Sequence, residues 1–437
     1  MKKLLFPLLT ALILLLPACT KDKSADAGDL LATVPSDASV VATLNLQSLL
    51  EDAGCKIEGS NITPSETISK LIEKSSKGDS SKLSIGFFKG EIGIDPTVAV
   101  LFRVGYYNYV TGIAADPSKL KTAVEKEYKV KFADRDGFSS AHNVAIKNNQ
   151  FWINLDQSEI DITELKHFTA LSEEQSFKSN PAFEQLAVIE DDARAWGNID
   201  GILNTAGLSF EQRAMTQIVT QTLFDDAKSL IFATNFEKGK ASIQMSVLNQ
   251  KGSAAKFLLP ISTVDVKTIE SIGGTANGVA AIDVSHKLVD KLTKDTQSKS
   301  QSFIGLILQQ LQGLDGTLAL AYGNGDTLNG VVTTNGSNIT DLTNMLASQG
   351  LQTTKEGNML RISRGATAGD RKVTDLAGML KGSLAGIVCT VNQKDIEPFD
   401  CAVTLNPDGK SVKLNVLLKT TNTNANFLET LLEMAAK

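Results

Sequence analysis

The chain has little of what most recognisable chemical sites are built from. Only three histidines occur among its 437 residues, which argues against a metalloenzyme organised around a histidine cluster. Tryptophans number two and aromatic residues as a whole reach 6%. Basic excess is missing too. A formal net charge of −6 leaves no cationic surplus to displace counterions from phosphates, and so excludes a general nucleic-acid binder. The motifs GxGxxG, GxxxxGK[ST], HExxH, GxSxG and CxxC are all absent, so no cofactor is expected. What remains is average: 42% hydrophobic and 21% charged residues exclude a disordered chain and a multi-span membrane protein. The length suggests about three domains of ordinary size.

The N-terminus is where the sequence is most specific. Residues 1–19 read MKKLLFPLLTALILLLPAC. Lys2 and Lys3 precede an acid-free apolar run from Leu4 to Leu16, a length suited to a signal peptide and shorter than the roughly 20 residues of a spanning helix. Leu16-Pro17-Ala18-Cys19 resembles the lipobox of bacterial lipoproteins, although Pro17 departs from the usual small residue. That resemblance implies cleavage after residue 18 and acylation of Cys19. Loss of the 18 residues with their two lysines moves the charge from −6 to −8. Several acyl chains, each stabilising by about 0.8 kcal/mol per buried methylene, then hold the protein on a membrane. No later run of 18 apolar residues follows, so the body is expected outside the bilayer. Residues 19–32 are small and polar, as a flexible tether requires. Lys21, Asp22 and Lys23 alternate in sign, so the tether carries no strong acidic signal for surface export.

With Cys19 lipidated, three cysteines are left, and all three cannot pair within one molecule. Cys389 and Cys401 lie in two strand-like segments. A hairpin centred on Asp395 sets them opposite each other, either as a disulfide or as two reduced thiols. Cys55 has no neighbouring histidine and is a poor nucleophile candidate.

The body repeats itself. A short apolar strand that runs through Asn or Asp into a helix occurs at Ala38–Leu50, at Ala193–Leu203 and at Gly278–Val289. The side chains of Asn45, Asn198 and Asp283 suit the capping of free backbone N–H groups. A hairpin phrase recurs at Ala233–Ile243 and Val403–Lys413, and a strand–turn–helix phrase at Gly112–Leu120 and Gly330–Ile339. The order is the same each time, which predicts a tandem duplication: a first half over 33–262 and a shorter second half over 263–437 that lacks a counterpart of the helix near 210–224. Hairpins dominate, so the expected fold is α+β, with two related halves of antiparallel sheet and helices covering one face.

The lipobox, the segment Val34-Pro35-Ser36-Asp37-Ala38-Ser39-Val40 and the later Gly278–Leu288 echo resemble a lipoprotein family of the Bacteroidetes catalogued only as a domain of unknown function. The resemblance spans nearly the whole mature chain. It implies no activity, cofactor or catalytic residue.

Other candidates for chemistry are weak. His142, His167 and His286 are scattered without partners at ligand spacing, so no metal site is expected. Ser118 and Lys121 match SxxK, but Asp116-Pro117 marks Ser118 as a helix start. Asp134-Arg135-Asp136-Gly137 reads as a glycine turn rather than a calcium loop. The acid clusters Glu190–Asp192 and Asp225–Asp226 read as solvated loop charges. Three of the five tyrosines fall at Tyr106, Tyr107 and Tyr109. Tyr107 and Tyr109 share one strand face, as an exposed pair that docks a glycan or protein or as an ordinary covered strand. The sequence therefore points to a lipid-anchored envelope lipoprotein, expected at the outer membrane, acting as a non-enzymatic binding or scaffold module with an unknown protein or glycan partner. The alternative is a hydrolase of envelope or dietary polymers.

Overall fold

The structure is a computed structural model. It describes residues 25–436 except 60, 77–86, 88–90, 157–158, 206–208, 298–312, 336–338, 393–396, 421–422 and 424–425. Residues 1–18, expected to be a signal segment, and Cys19 lie outside the described residues.

The chain divides into two compact units, each built on antiparallel strands. In the first, β1 (Val40–Asn45) leads into α1 (Leu46–Asp52), and α2 (Glu66–Ser76) follows. Then come β2 (Ile94–Val104), β3 (Tyr107–Ala114), α3 (Pro117–Tyr128), β4 (Ala133–Arg135), β5 (Phe138–Ala141), β6 (Val144–Lys147) and β7 (Gln150–Asn154). The unit continues with α4 (Ile162–Phe168), β8 (Ala193–Asn198), β9 (Ala227–Glu237) and β10 (Lys240–Asn249). Its strands lie in the order β4–β5–β6–β7–β3–β2–β1–β8–β9–β10. Successive residues serve opposite faces. Val98, Val100 and Phe102 join one apolar cluster with Leu165 and Phe168 of α4, whereas Ala99 joins another with Leu71 and Ile72 of α2. Packed side chains thus cover this sheet on both faces.

In the second unit the elements are α5 (Val266–Glu270), β11 (Gly278–Asp283), β12 (Leu314–Tyr322), β13 (Leu328–Thr334), α6 (Thr340–Ser348), β14 (Gln352–Glu356), β15 (Met359–Arg364), α7 (Val373–Gly378), β16 (Ala385–Val391), β17 (Phe399–Asp408) and β18 (Ser411–Thr420). The strand order is β14–β15–β13–β12–β11–β16–β17–β18. This repeats β6–β7–β3–β2–β1–β8–β9–β10 of the first unit strand for strand. The α+β expectation of two related antiparallel halves therefore holds, and the paired phrases fall on corresponding strands: β1 with β11, β3 with β13, β9 with β17. The helix Phe210–Leu223 follows β8, whereas residues 392–398 alone join β16 to β17.

Local chemistry explains the turns. Asp136-Gly137 closes the β4–β5 hairpin as a two-residue loop, with φ 53° and 82° at its central residues, which is the glycine turn expected there. Asn45 caps α1 by accepting from the Ser48 N–H, and Asn198 accepts from the Gly201 N–H. Asp283 instead accepts from the Ser262 N–H at 3.0 Å.

Three expectations need correction. The tether expected over 19–32 is not free from residue 25 onward: Ala25–Asp26 pairs with Val188–Ile189, and Leu30 and Leu31 of the helix Gly28–Leu31 are buried among apolar partners distant in sequence. The division of the chain does not fall at 262: the second unit comprises 219–225 and 255–421, and residues 422–437 belong to the first. The helix Phe427–Ala436 places Leu428 and Leu432 in the same cluster as Leu71 and Ile72. Its apolar stripe finds its partner far away in sequence, which linear order cannot show. The acid cluster at 190–192 is also not a set of solvated charges. Asp191 pairs with Arg194 and accepts from Asn235 at 2.8 Å. Asp192 is buried; its carboxylate accepts from the Ser48 hydroxyl at 2.7 Å and the Phe236 N–H at 2.6 Å, joining α1 to β9.

Burial pushes the Asp192 carboxyl up to about 6 against these two hydrogen bonds. The folded state then holds a proton that the unfolded chain has released, so stability falls as pH rises from about 4 to about 6. The expected loss is about 3 kcal/mol across that window. Urea unfolding at a series of pH values should show this fall, and Asp192→Asn should flatten it.

Candidate functional site: an apolar sheet face

The second sheet has two unlike faces. On one, Val279, Ala281, Ala319, Val331 and Val388 are buried against Ile269 of α5 and Val373 and Leu376 of α7. The residues between them point the other way. Along β11 these are Gly278, Ala280 and Ile282. Register places Tyr322, Leu320 and Leu318 beside them on β12, and Cys389, Ile387 and Ala385 on β16. One strand further, Cys401, Val403 and Leu405 continue the rows on β17. Over Leu318, Val332 and Leu360, α6 covers this face with Leu342 and Leu346. Beyond α6 lies a cavity of about 370 Å³, walled by Leu318, Leu320, Ile387, Val403, Leu405 and Leu414. The single methyl groups of Ala280 and Ala385 form part of its lining. Ile387 is 52% exposed, although its chain neighbour Val388 is fully buried on the other face.

Every residue lining the cavity is apolar. Among the described residues the lining carries no titratable side chain, so it offers none to move a proton or hold a metal. It can take up an apolar group by removing it from water. At one end of the same face the row changes character. Tyr322 lies across Gly278, and a Cβ at that position would meet the Tyr322 hydroxyl at 2.2 Å. The phenol reaches the Cys389 thiol, which in turn reaches Cys401. Burial, then the neighbouring Cys389 thiol, pushes the Tyr322 phenol up to about 12. The same two causes push the Cys401 thiol above its ordinary value.

The residues singled out from sequence are dispersed. Cys389 and Cys401 are direct register partners, as a hairpin centred on Asp395 requires, and both are free thiols. Gly105 and Tyr106 form the two-residue turn between β2 and β3, with Gly105 at φ 56° and Tyr106 85% exposed. Tyr107 is partly exposed at the start of β3.

Tyr109 overturns the idea of an exposed tyrosine pair, because it is wholly buried. Its ring stacks on Phe102 at 5.4 Å and meets Phe168 edge-on at 5.3 Å. Its hydroxyl donates to Glu164, and burial with that carboxylate raises its pKa far above the ordinary range. It is a core residue and reaches no ligand.

The weaker candidates also resolve. Ser118 follows Asp116, whose side chain accepts from the Ser118 and Lys119 N–H groups as the cap of α3. Lys121 points at the ring of Phe132. His142 stacks on Tyr128 at 4.3 Å, and His286 lies 2.9 Å from Asp315. Among the described residues no three His, Cys, Asp or Glu side chains gather as metal ligands.

The apolar face was missed by sequence reasoning, though a signal existed. Strands β11, β12 and β16 are apolar at both parities, as in Val279-Ala280-Ala281-Ile282 and Leu318-Ala319-Leu320-Ala321. A strand solvated on one side alternates with polar residues instead.

No family model matches the chain, and no curated protein matches it. Among solved structures, the chain is similar to crystal form I of TP0453, with 9% identity, a TM-score of 0.28, and coverage of 80% of this chain and 94% of that one. Crystal form III of TP0453 gives 11% identity, the same TM-score, and coverage of 80% and 96%. Likeness at this level carries no argument about fold or function.

The Tyr322–Gly278 contact is testable. Gly278→Ala should destabilise the protein by roughly 1–3 kcal/mol through overpacking. Tyr322→Ala in the same chain should recover most of that loss, and a double-mutant cycle from urea unfolding measures the coupling.

Proposed function

We propose that this protein is a membrane-anchored cell-envelope lipoprotein, held at the outer membrane through acylated Cys19, whose duplicated α+β body is a non-enzymatic binding module for an acyl chain. The observation that carries this reading is the cavity of about 370 Å³ on the second sheet, lined wholly by apolar side chains. Its size lies within the roughly 300–1,000 Å³ range of small-molecule sites. Each methylene taken from water there contributes about 0.8 kcal/mol, so a chain of eight gives roughly 6 kcal/mol before the costs of association. An acyl chain fits a lining with no charge or hydrogen-bonding side chain better than a sugar or a peptide does. The lipobox at 16–19 supports the anchor, and the repeated strand order supports descent by duplication in the manner of the lipoprotein family that the sequence resembles. Exposed Tyr106 and Tyr107, on the first unit, suit contact with a protein or glycan partner.

Photoactivatable probes test the reading in isolated membranes that carry the full-length protein. A diazirine fatty acid and a diazirine phospholipid form the two arms, and the arm that labels tells free from esterified chains. Labelled peptides should map to β11, β16 and β17. Ile387→Glu, a change at an exposed position, should cut labelling at least tenfold, since an acyl chain cannot pair a buried carboxylate. Thermal stability should stay within a few degrees of wild type. Labelling unchanged by Ile387→Glu sinks the proposal. Separately, Cys19→Ala should abolish incorporation of an alkyne-tagged palmitate. Protease shaving of intact cells reads the membrane face: cleavage places the body outside, and survival until lysis places it in the periplasm.

A further inference from the structure

We propose that Cys389 and Cys401 are a reversible cross-strand dithiol–disulfide pair, a redox site on the second sheet that stands apart from the acyl-chain reading. The argument begins with the backbone. The Thr390 N–H donates to the Asn277 carbonyl at 2.8 Å, which flanks the Gly278–Cys389 partnership and makes it a non-hydrogen-bonded pair. The N–H and C=O of Cys389 therefore face β17, so Cys389 and Cys401 form a hydrogen-bonded pair with Cα atoms about 5.5 Å apart. A disulfide spans Cα separations of about 4.4–6.8 Å and Cβ separations of about 3.5–4.5 Å, so closing the bridge draws the two Cβ atoms together from the roughly 4.5–5.5 Å of directly opposed residues. The two thiols stand on the same side of the sheet. Both are half-buried, in contrast to Cys55, which is buried in the core of the first unit. Tyr322, 38% exposed, lies over Gly278 in the row that continues to Cys389.

The oxidant is a small-molecule disulfide, RSSR. One cysteine thiolate attacks it, forming a mixed disulfide and releasing one RS⁻. The second cysteine, deprotonated, attacks the first cysteine sulfur and expels the other RS⁻. The two thiol protons end on the two released thiols, and the two electrons leave with them. Excess dithiol reductant reverses both steps, as exposure of the pair allows.

Oxidised glutathione is the probe, added to the detergent-extracted full-length protein. Trypsin cuts after Lys381, Lys394 and Lys410, so the bridge joins peptides 382–394 and 395–410 with the loss of two hydrogens. The linked pair is expected as the dominant product, at least tenfold over doubly glutathionylated peptides, and dithiothreitol should restore both thiols while Cys55 stays unmodified. Two results overturn the site: independent glutathionylation of Cys389 and Cys401 without a bridge, or bridging no faster than in the urea-unfolded chain.

Discussion

Antiparallel register ties β11 to β12 on one side and β16 on the other, and the features of the second unit follow from it. Because side chains alternate with a period of two, one register decides which residues of all three strands share a face. Val279, Ala321 and Val388 then meet the helical layer together, and Gly278, Tyr322 and Cys389 form a row on the opposite side. A slip by one residue would send the cavity walls into the core and the core valines to the open face. Gly278 holds the key position in that row. Only a residue without a side chain lets the Tyr322 ring lie flat across the strand and bring its hydroxyl to the Cys389 thiol.

The two units show how one strand order serves two purposes. In the first, helices and loops supply apolar partners to both faces, and even a tyrosine hydroxyl is drawn inside, where it donates a hydrogen bond to Glu164. Its polar links, such as the buried Asp192 carboxylate between Ser48 and Phe236, hold elements in place. In the second unit, α6 covers part of the corresponding face, and an apolar hollow remains beside it. The hydrophobic effect has no preference for a protein partner over a lipid one, so the proposed acyl-chain site rests on the part of this face that the described residues leave uncovered.

The duplication, the hairpins and the pairing of Cys389 with Cys401 were legible because they depend on local rules. Turn residues set register, and an Asp-Gly pair or a Gly at the first turn position announces the hairpin directly. Repeated phrases carry those rules into both halves. The candidate site was less legible. Burial depends on what covers a strand, and coverage comes from elements distant in sequence. Tyr107 and Tyr109 share one strand face, yet Phe102 and Phe168 enclose Tyr109 alone. Asp191 and Asp192 look like loop charges until β9 and α1 close around them.

By itself, then, the sequence determined the antiparallel α+β class, the recurrence of the same phrases in two halves and the opposition of two cysteines across a hairpin, since periodicity and turn chemistry act over a few residues. It also carries the N-terminal lipobox pattern. Tertiary structure decided the rest: that the helix Phe427–Ala436 completes the first unit, that Tyr109 is core, that Asp192 is buried and that, among the described residues, part of one face of the second sheet is left uncovered. Each of these is a question of which distant surfaces meet, and apolar contact is non-directional, so no local pattern encodes its partner.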